Sequence, residues 1–496
     1  MPVEDMEGFD EKLYLDSNPD VAAAVAAEHY TSGVSHYLER GFKENRYSIG
    51  GELAAVANFQ IERLMLSPRG HVFLSGWCND FASPILEVWL SWGPYRARLD
   101  HKEVFRYRRD DVEEAFELSA LKQSHDYGMF TLFRLERPEL VRGGVNITIV
   151  TDTGVTSEIF ACSMTTEEAL CLHSLTFINS LRFNGDHLYH LFRIFEAGFA
   201  DSVRKVYADK NVSHQHYTIN AFNEKKVRCS VITVLFGMHS PIRMIGSTAI
   251  SAAGAEFEWI FANNSPELAH DVLQAARIVS GLYDASVKVI NFNGNVGFGL
   301  ANNVAAKHAV GEIICIYNPD IIPVEKLAFD EILKCEGESL QGALLYYADG
   351  TIMHNGMNFY VDRLFPGRSI DTGPPFYPAV RVEHLDKGAP ARFSDRDRNG
   401  DLAALSGALM VCSKEAFMSI GGFAEKFIFG HYEDANLCLR WREKFGVGSV
   451  RVNYQIKFVH LESKGSHGDK EPYRGAAKLN RWLFSLDPSV LASAIE

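Results

Sequence analysis

The chain has 496 residues, 47% of them hydrophobic and 23% charged, with a formal net charge of −14. Such a length asks for roughly two to four domains, and the composition is that of a globular protein. The negative balance argues against nucleic acid as a partner, since that needs a basic face, while local sites for anionic ligands stay open. No apolar run reaches the roughly 18 to 20 residues of a membrane span, and the acidic start PVEDMEGFDEK has no apolar signal core. Eight cysteines are scattered without a C-x-x-C pair, which favours buried reduced thiols over disulfides or a zinc site. A cytoplasmic protein is expected.

In chain order, the first expected unit is a small helical module over 1–50. Asp20 follows Pro19 and opens an Ala-rich helix, and Ser32 or Ser35 caps a second helix that stops at Gly41. Residues 55–164 change character: HVFLSGWC, ILEVWLSW, YRARL, MFTLFRL and VNITIVTD are short apolar runs between turn residues. That rhythm predicts an antiparallel β-sandwich acting as an accessory domain. Trp77, Trp89 and Trp92 are either its core aromatics or a sugar-binding face. Residues 165–226 return to helix-like spacing and read as a connector.

From 227 to 487 strands and helices alternate. VRCSVITVLFG, EFEWIFANN, KVINF, EIICIY and GALLYY are strand-like, and SPELAHDVLQAARIVSGL is a helix with Ser265 as N-cap and Pro266 at its first position. A βαβ series implies a mostly parallel, Rossmann-like α/β sheet. The expected fold class is therefore multidomain: helical module, β-sandwich, then the α/β domain.

Four groups of residues carry candidate chemistry. Asn295, Gly297, Phe298, Gly299, Asn302 and Asn303 form a Gly-rich turn entering a helix, suited to a diphosphate or to a plain tight turn. Their spacing is not that of a dinucleotide fingerprint or a Walker loop. Asn318-Pro319-Asp320 follows a buried strand, where an acid sits at the ligand crevice of an open α/β sheet, unless it caps the next helix. Glu433-Asp434 enters the helix ANLCLRWREKF, either as capping acids or as a general base for a hydroxyl. His460 ends the strand-like run YQIKFVH, as a ligand or as a structural histidine.

Residues 229 to about 485 resemble the inverting family 2 glycosyltransferases of GT-A fold, in the branch that holds bacterial rhamnosyl- and galactofuranosyltransferases. The resemblance rests on NVGFGLANN, on NPD in place of the D-x-D metal motif, on GTIMHNG and SGALMVCSKEAFMSIGGF, and on YEDANLCLRW and VHLESKGS. YLDSNPDV and the following HYLERGFKENR resemble a short module of bacterial surface-polysaccharide proteins. The family resemblance implies a divalent metal, Mn²⁺ or Mg²⁺, held by Asp320 and His460. It implies Asp434 as catalytic base, with Glu433 positioning donor or acceptor in the catalytic pair, and Asn318 near the donor ribose. The donor would be a nucleoside-diphosphate sugar, with UDP or dTDP as first choices, and the acceptor a glycan or glycolipid. Polysaccharide biosynthesis at the cell envelope, with a peripheral membrane or glycan-assembly partner, would follow.

One position departs from the family. An aspartate usual before N-x-S is Ala262 here, which leaves Asn263 or Asn264 to meet the nucleotide base. The alternative is a non-catalytic glycan- or nucleotide-binding protein that keeps the fold. A sugar-nucleotide-forming nucleotidyltransferase would need a Gly-rich, basic loop after the first strand, which LFGMHSPIR does not supply. Residues 362–402, rich in proline and without periodicity, read either as a lid with Arg363, Arg368 or Arg381 meeting phosphate or as a mobile crossover.

Overall fold

The computed structural model describes residues 11–36, 40, 58–79, 85–99, 104–115, 126–141, 143–151, 155–181, 185–196, 200–208, 212–220, 226–365, 376–393, 396–461 and 471–494. Gly41, Arg368 and the end of the VHLESKGS motif lie outside them. The chain is multidomain and divides into two compact units, Met1–Val206 with Leu364–Phe376 and Tyr207–Arg363 with Tyr377–Glu496.

The first unit begins with helices α1 (Glu11–Ser17), α2 (Pro19–Ala26) and α3 (Gly33–His36). Tyr14 and Val21 make a small core of their own, and the Glu11 carboxylate accepts the amides of Gly33 and Val34 at the start of α3. Strands β1 (Asn58–Leu66), β2 (His71–Asn79), β3 (Ile85–Trp92), β4 (Tyr95–Leu99) and β5 (Phe105–Tyr107) follow, then α4 (Asp110–Ala115). Next come β6 (Gly128–Arg134), β7 (Val145–Thr151), β8 (Val155–Phe160) and β9 (Ser163–Met164), and then helices α5 (Glu167–Ser180), α6 (Gly185–Ile194) and α7 (Ala200–Ala208). The strands form two sheets, ordered β5-β6-β2-β1-β9 and β4-β3-β7-β8. One apolar cluster draws Leu66, Val72 and Leu74 from the first sheet and Leu90, Val145 and Ile147 from the second, so alternation along each strand aims one face at a shared core. Trp92 is in that cluster, while the Trp89 ring carries the Arg96 guanidinium 3.9 Å from its centroid.

The second unit holds strands β10 (His214–Ile219) and β11 (Cys229–Leu235), helix α8 (Pro241–Ile245), β12 (Phe257–Asn263), α9 (Ala269–Tyr283), β13 (Ser286–Phe292) and α10 (Phe298–His308). It continues with β14 (Ile313–Tyr317), β15 (Ile321–Pro323), α11 (Leu327–Ile332), β16 (Leu340–Tyr346), β17 (Ile352–His354), β18 (Met357–Leu364) and β19 (Tyr377–His384). β20 (Leu409–Ser413), α12 (Lys414–Ser419), α13 (Glu433–Phe445), β21 (Val450–His460), α14 (Glu471–Ser485) and α15 (Pro488–Ser493) complete it.

Its main sheet runs β10-β13-β12-β11-β14-β20-β16-β21-β15, with β17 beside β16. β13, β12, β11 and β14 are parallel, and every residue of these four strands is buried. Burial on both faces explains why they read as unbroken apolar runs rather than alternating ones. Chain order reverses between β11 and β14, which makes the carboxyl ends of these strands the ligand crevice of such a sheet. Towards the amino ends of β12 and β13, Lys288 Nζ lies 2.8 Å from Glu258 Oε2 with both side chains buried, and Glu258 Oε1 also accepts the Val310 amide.

Three local expectations are corrected. Ser265 stands at the N-cap with Pro266 next, but of a short 3-10 turn, Pro266–Leu268, that leads into α9, and its side chain makes no cap bond: Oγ instead accepts the Gly237 amide. His214–Ile219, in the stretch expected to be helical, is a strand because it pairs antiparallel with β13. Within 362–402, Tyr377–His384 is also a strand, paired with β18, and its Arg381 bonds Asp362 and Glu383. The eight cysteines, all among the described residues, are thiols rather than disulfides, and seven are buried. Among the described residues no helix is long and apolar enough to cross a membrane.

Candidate active site

Asp320 stands in the turn between β14 and β15, and His460 is the last residue of β21. Antiparallel pairing of β15 with β21 sets Ile321 opposite His460, and the Leu461 amide donates to the Asp320 carbonyl. This register brings His460 Nε2 to 3.1 Å from Asp320 Oδ1, with both residues 7% exposed. His460 Nδ1 is buried without a hydrogen-bond partner, an atom that normally finds one. A carboxylate and an imidazole make a donor set that a divalent ion accepts, with phosphate and water filling the remaining positions. The pair therefore fits the implied metal. Among the described residues no group of three or more His, Cys, Asp or Glu could hold an ion.

Glu433 and Asp434 open α13. The segment before them is strained: Phe429, His431 and Tyr432 have φ of 61°, 78° and 71°, in the left-handed region that non-glycine residues avoid. Two side chains hold it there. Asn480 of α14 accepts the Ile428 amide and donates to the carbonyls of Ile428, Gly430 and His431. Tyr207 accepts the Phe429 amide and donates its own hydroxyl proton to the Val296 carbonyl, joining this segment to the Gly-rich turn.

The two acids differ in surroundings. Glu433 is 6% exposed and its Oε2 has no hydrogen-bond partner. Burial, and then the Asp434 charge, pushes its carboxyl up to about 8. Burial also raises Asp434, but Oδ2 accepts the Gly407 amide at 2.9 Å and Oδ1 accepts the Ala435 amide at 2.8 Å, and both oppose that shift. Of the two, Asp434 is the one whose charged form is met by amide donors, while Glu433 favours its proton. Neighbouring carboxyls pushed apart in this way suit one acid and one base.

A single turn links the two acidic sites. Gly407 donates to Asp434, and the carbonyl of the next residue, Ala408, accepts the Asn318 amide at 2.9 Å. A Cβ on Gly407 would sit 3.3 Å from Asp434 Cβ and 3.4 Å from Phe298 Cε1, so a larger residue here would require the Asp434 side chain to give by a few tenths of an ångström.

The asparagines of the sequence motif bond mostly to their own framework. Asn263 donates to the Ser265 carbonyl and to Asn291 Oδ1, and accepts the Ser265 amide. Asn264 clasps the Val296 amide and the Gly297 carbonyl, and Asn295 Oδ1 accepts the Gly297 amide. Asn303 pairs with both backbone groups of Phe423. Asn302 donates to the Phe298 carbonyl while its Oδ1 is buried without a partner. Gly297, at φ 85°, lies where a Cβ would meet the Phe429 carbonyl at 2.9 Å, and the Phe298 amide already donates to that same oxygen. Gly299 packs on Phe423. Ala262 is fully buried mid-sheet, between Val234 and Ile290.

Sequence reasoning passed over His354, His384, Tyr207 and Asn480. His354 was inside GTIMHNG, but only its buried partners reveal it.

No family model matches the chain. It is 25% identical over 246 residues to the uncharacterized protein y4gI of Sinorhizobium fredii, covering 48% of this chain and 25% of that protein. It is 28% identical over 177 residues to the O-antigen biosynthesis protein RfbC of Myxococcus xanthus, covering 34% of this chain and 12% of that protein. The chain thus spans a quarter or less of the length of these two relatives. Among solved structures it is similar to a mannosyltransferase from Pyrobaculum calidifontis in complex with GDP-Man and Mn²⁺, at TM-score 0.35 and 12% identity over 64% of this chain and 85% of that one. It is also similar to glucosyl-3-phosphoglycerate synthase from Mycobacterium tuberculosis with Mn²⁺, UDP-glucose and glycerol 3-phosphate, at TM-score 0.31 and 15% identity over 56% and 84%. At these scores and identities the similarities assign neither fold nor activity.

Proposed function

We propose that the second unit is a GT-A glycosyltransferase that moves a sugar, with inversion, from a nucleoside-diphosphate sugar to a hydroxyl of a bacterial surface glycan or glycolipid. The observation that carries this reading is the turn in which Gly407 bonds Asp434 and Ala408 bonds Asn318. It ties a base candidate to the strand end that bears Asp320, at the carboxyl edge of a parallel sheet. The strain at Phe429, His431 and Tyr432 supports it, since such backbone gathers at functional sites.

In this reading the donor lies over the carboxyl ends of β11, β12, β13 and β14. Asn263, Asn264, Asn295, Gly297, Gly299, Asn302 and Asn303 shape the wall around it, and Asn318 meets the ribose. Asp320 and His460 hold a divalent ion, which when bound neutralises the departing diphosphate as a Lewis acid. Asp434 takes the acceptor proton onto a carboxylate oriented by the Gly407 and Ala435 amides. Protonated Glu433 keeps a second negative charge away from that carboxylate. Base catalysis of this kind contributes ~10²- to 10⁴-fold, so most of the rate comes from positioning and leaving-group electrostatics.

The test is calorimetric binding of UDP-, dTDP- and GDP-sugars with and without Mn²⁺ or Mg²⁺. Tight binding of one donor only with metal is the expected result. Absence of binding by every donor in both conditions overturns the reading, and binding without turnover on any glycan acceptor moves it to a non-catalytic nucleotide-sugar receptor.

A further inference from the structure

His354 ends β17 and is 1% exposed, among groups the proposed chemistry does not use. Its Nε2 lies 3.3 Å from the Ser406 amide, which can only donate, so Nε2 bears the lone pair. The ring proton is then on Nδ1, which faces His384 Nδ1 at 2.8 Å. His384 accepts there and carries its own proton on Nε2. The partners of this imidazole pair thus fix one tautomer of each ring.

Ser406 is the residue before Gly407. The chain therefore presents two successive amides, one gripped by His354 and the next donating to Asp434 Oδ2. The same stretch is held from α13, where the Leu405 amide donates to Cys438 Sγ at 3.3 Å, one helical turn beyond Asp434. Ser406 Oγ accepts the Ala408 amide, closing the turn on itself. We infer that His354, set by His384, is a positioning residue for Asp434: it anchors the Ser406–Gly407 backbone so that the Gly407 amide stays aimed at the carboxylate. The inference rests on the proposed function for what Asp434 does, and on geometry alone for how Asp434 is held.

Removing the acceptor frees the Ser406 amide and loosens the Gly407 contact. Because a neutral hydrogen bond contributes about 0.5–1.5 kcal/mol, amide exchange in this segment should quicken about two- to tenfold. The turnover cost falls on orientation of the base, so kcat drops while donor KM holds.

The experiment compares the full chain with His354→Phe, which keeps a ring but no acceptor, and His354→Gln, whose amide oxygen reaches the Nε2 position. Hydrogen exchange is read by mass spectrometry on peptides covering 402–409, alongside kcat and donor KM. Faster exchange and lower kcat in His354→Phe, both restored in His354→Gln, is the expected result. Exchange equal to wild type in His354→Phe overturns the inference. If His354→Phe does not fold, His354→Asn, too short to reach Ser406, takes its place, and equal exchange in the Gln and Asn variants overturns it. A wild-type chain with no transferase activity, but with the exchange effect present, would strike the functional reading and leave the role of His354 in place.

Discussion

His460 Nε2 and Asp320 Oδ1 meet at 3.1 Å across 140 residues of chain, because β15 and β21 pair with Ile321 opposite His460. Neither residue sits on a loop free to wander. His460 ends β21 and Asp320 sits in the turn immediately before β15, so their spacing is set by the register of the two strands.

The pair is therefore expected to govern metal-dependent affinity. Asp320→Ala and His460→Ala should each remove the Mn²⁺-dependent part of donor binding, measured by calorimetry, and leave the melting temperature within a few degrees. Donor affinity unchanged in both variants would place the ion elsewhere.

Asp434→Asn keeps the size of the side chain and loses the proton acceptor. Turnover should fall by ~10²- to 10⁴-fold with donor affinity retained. Steady-state kinetics beside calorimetry separate the two, and a variant with near wild-type kcat would end the assignment of Asp434 as base.

Glu433 yields a pH prediction. Its folded value, raised to about 8, lies above the ordinary carboxyl range, so the folded state binds the extra proton. Its effect on stability is favourable below the unfolded value and is lost as pH rises towards 8. Glu433→Gln, which cannot ionise, should melt near wild type at pH 5 and above it at pH 8.5. In kinetics the wild-type alkaline limb near 8 should vanish in the same variant. An unaltered limb would show that another group produces it.

Gly297→Ala places a methyl against the Phe429 carbonyl at a φ of 85°. A loss of about 1–3 kcal/mol in denaturant unfolding is expected. Tyr207→Phe, which removes the hydroxyl between Val296 and Phe429, should cost about 1–2 kcal/mol. Additivity of the two would contradict a shared strut, because neighbouring sites couple.

Lys288→Met removes the cation beside the fully buried Glu258 carboxyl. Breaking such a pair costs about 3–5 kcal/mol, whereas a double change of both residues to apolar ones should recover much of it. Urea unfolding of the three variants checks this.

Much of the second unit was legible before any coordinates. Unbroken apolar runs such as VRCSVITVLFG could only be buried strands, and the observed strand is Cys229–Leu235. His214–Ile219 was passed over although Tyr217, Thr218 and Ile219 favour strands, because it is one short run at the end of the sheet, paired only with β13. Ser265 misled because its hydroxyl serves the Gly237 amide rather than a helix start. The acids announced themselves through their places at a strand end and a helix start. His354, Tyr207 and Asn480 could not, since each acts on backbone 49 or more residues away, and backbone groups leave no letter in a sequence.

Asn480 gives the fold one more property. With four hydrogen bonds it pins the segment from Ile428 to His431 from a helix that follows every acid and histidine of the candidate site. A proteolytic nick between β21 and α14 would remove none of those side chains, yet it would cut the covalent link to the clamp that keeps Phe429, His431 and Tyr432 left-handed. Such a clipped chain would keep its candidate ligands and base while its loop relaxed, so loss of activity would precede loss of the sheet.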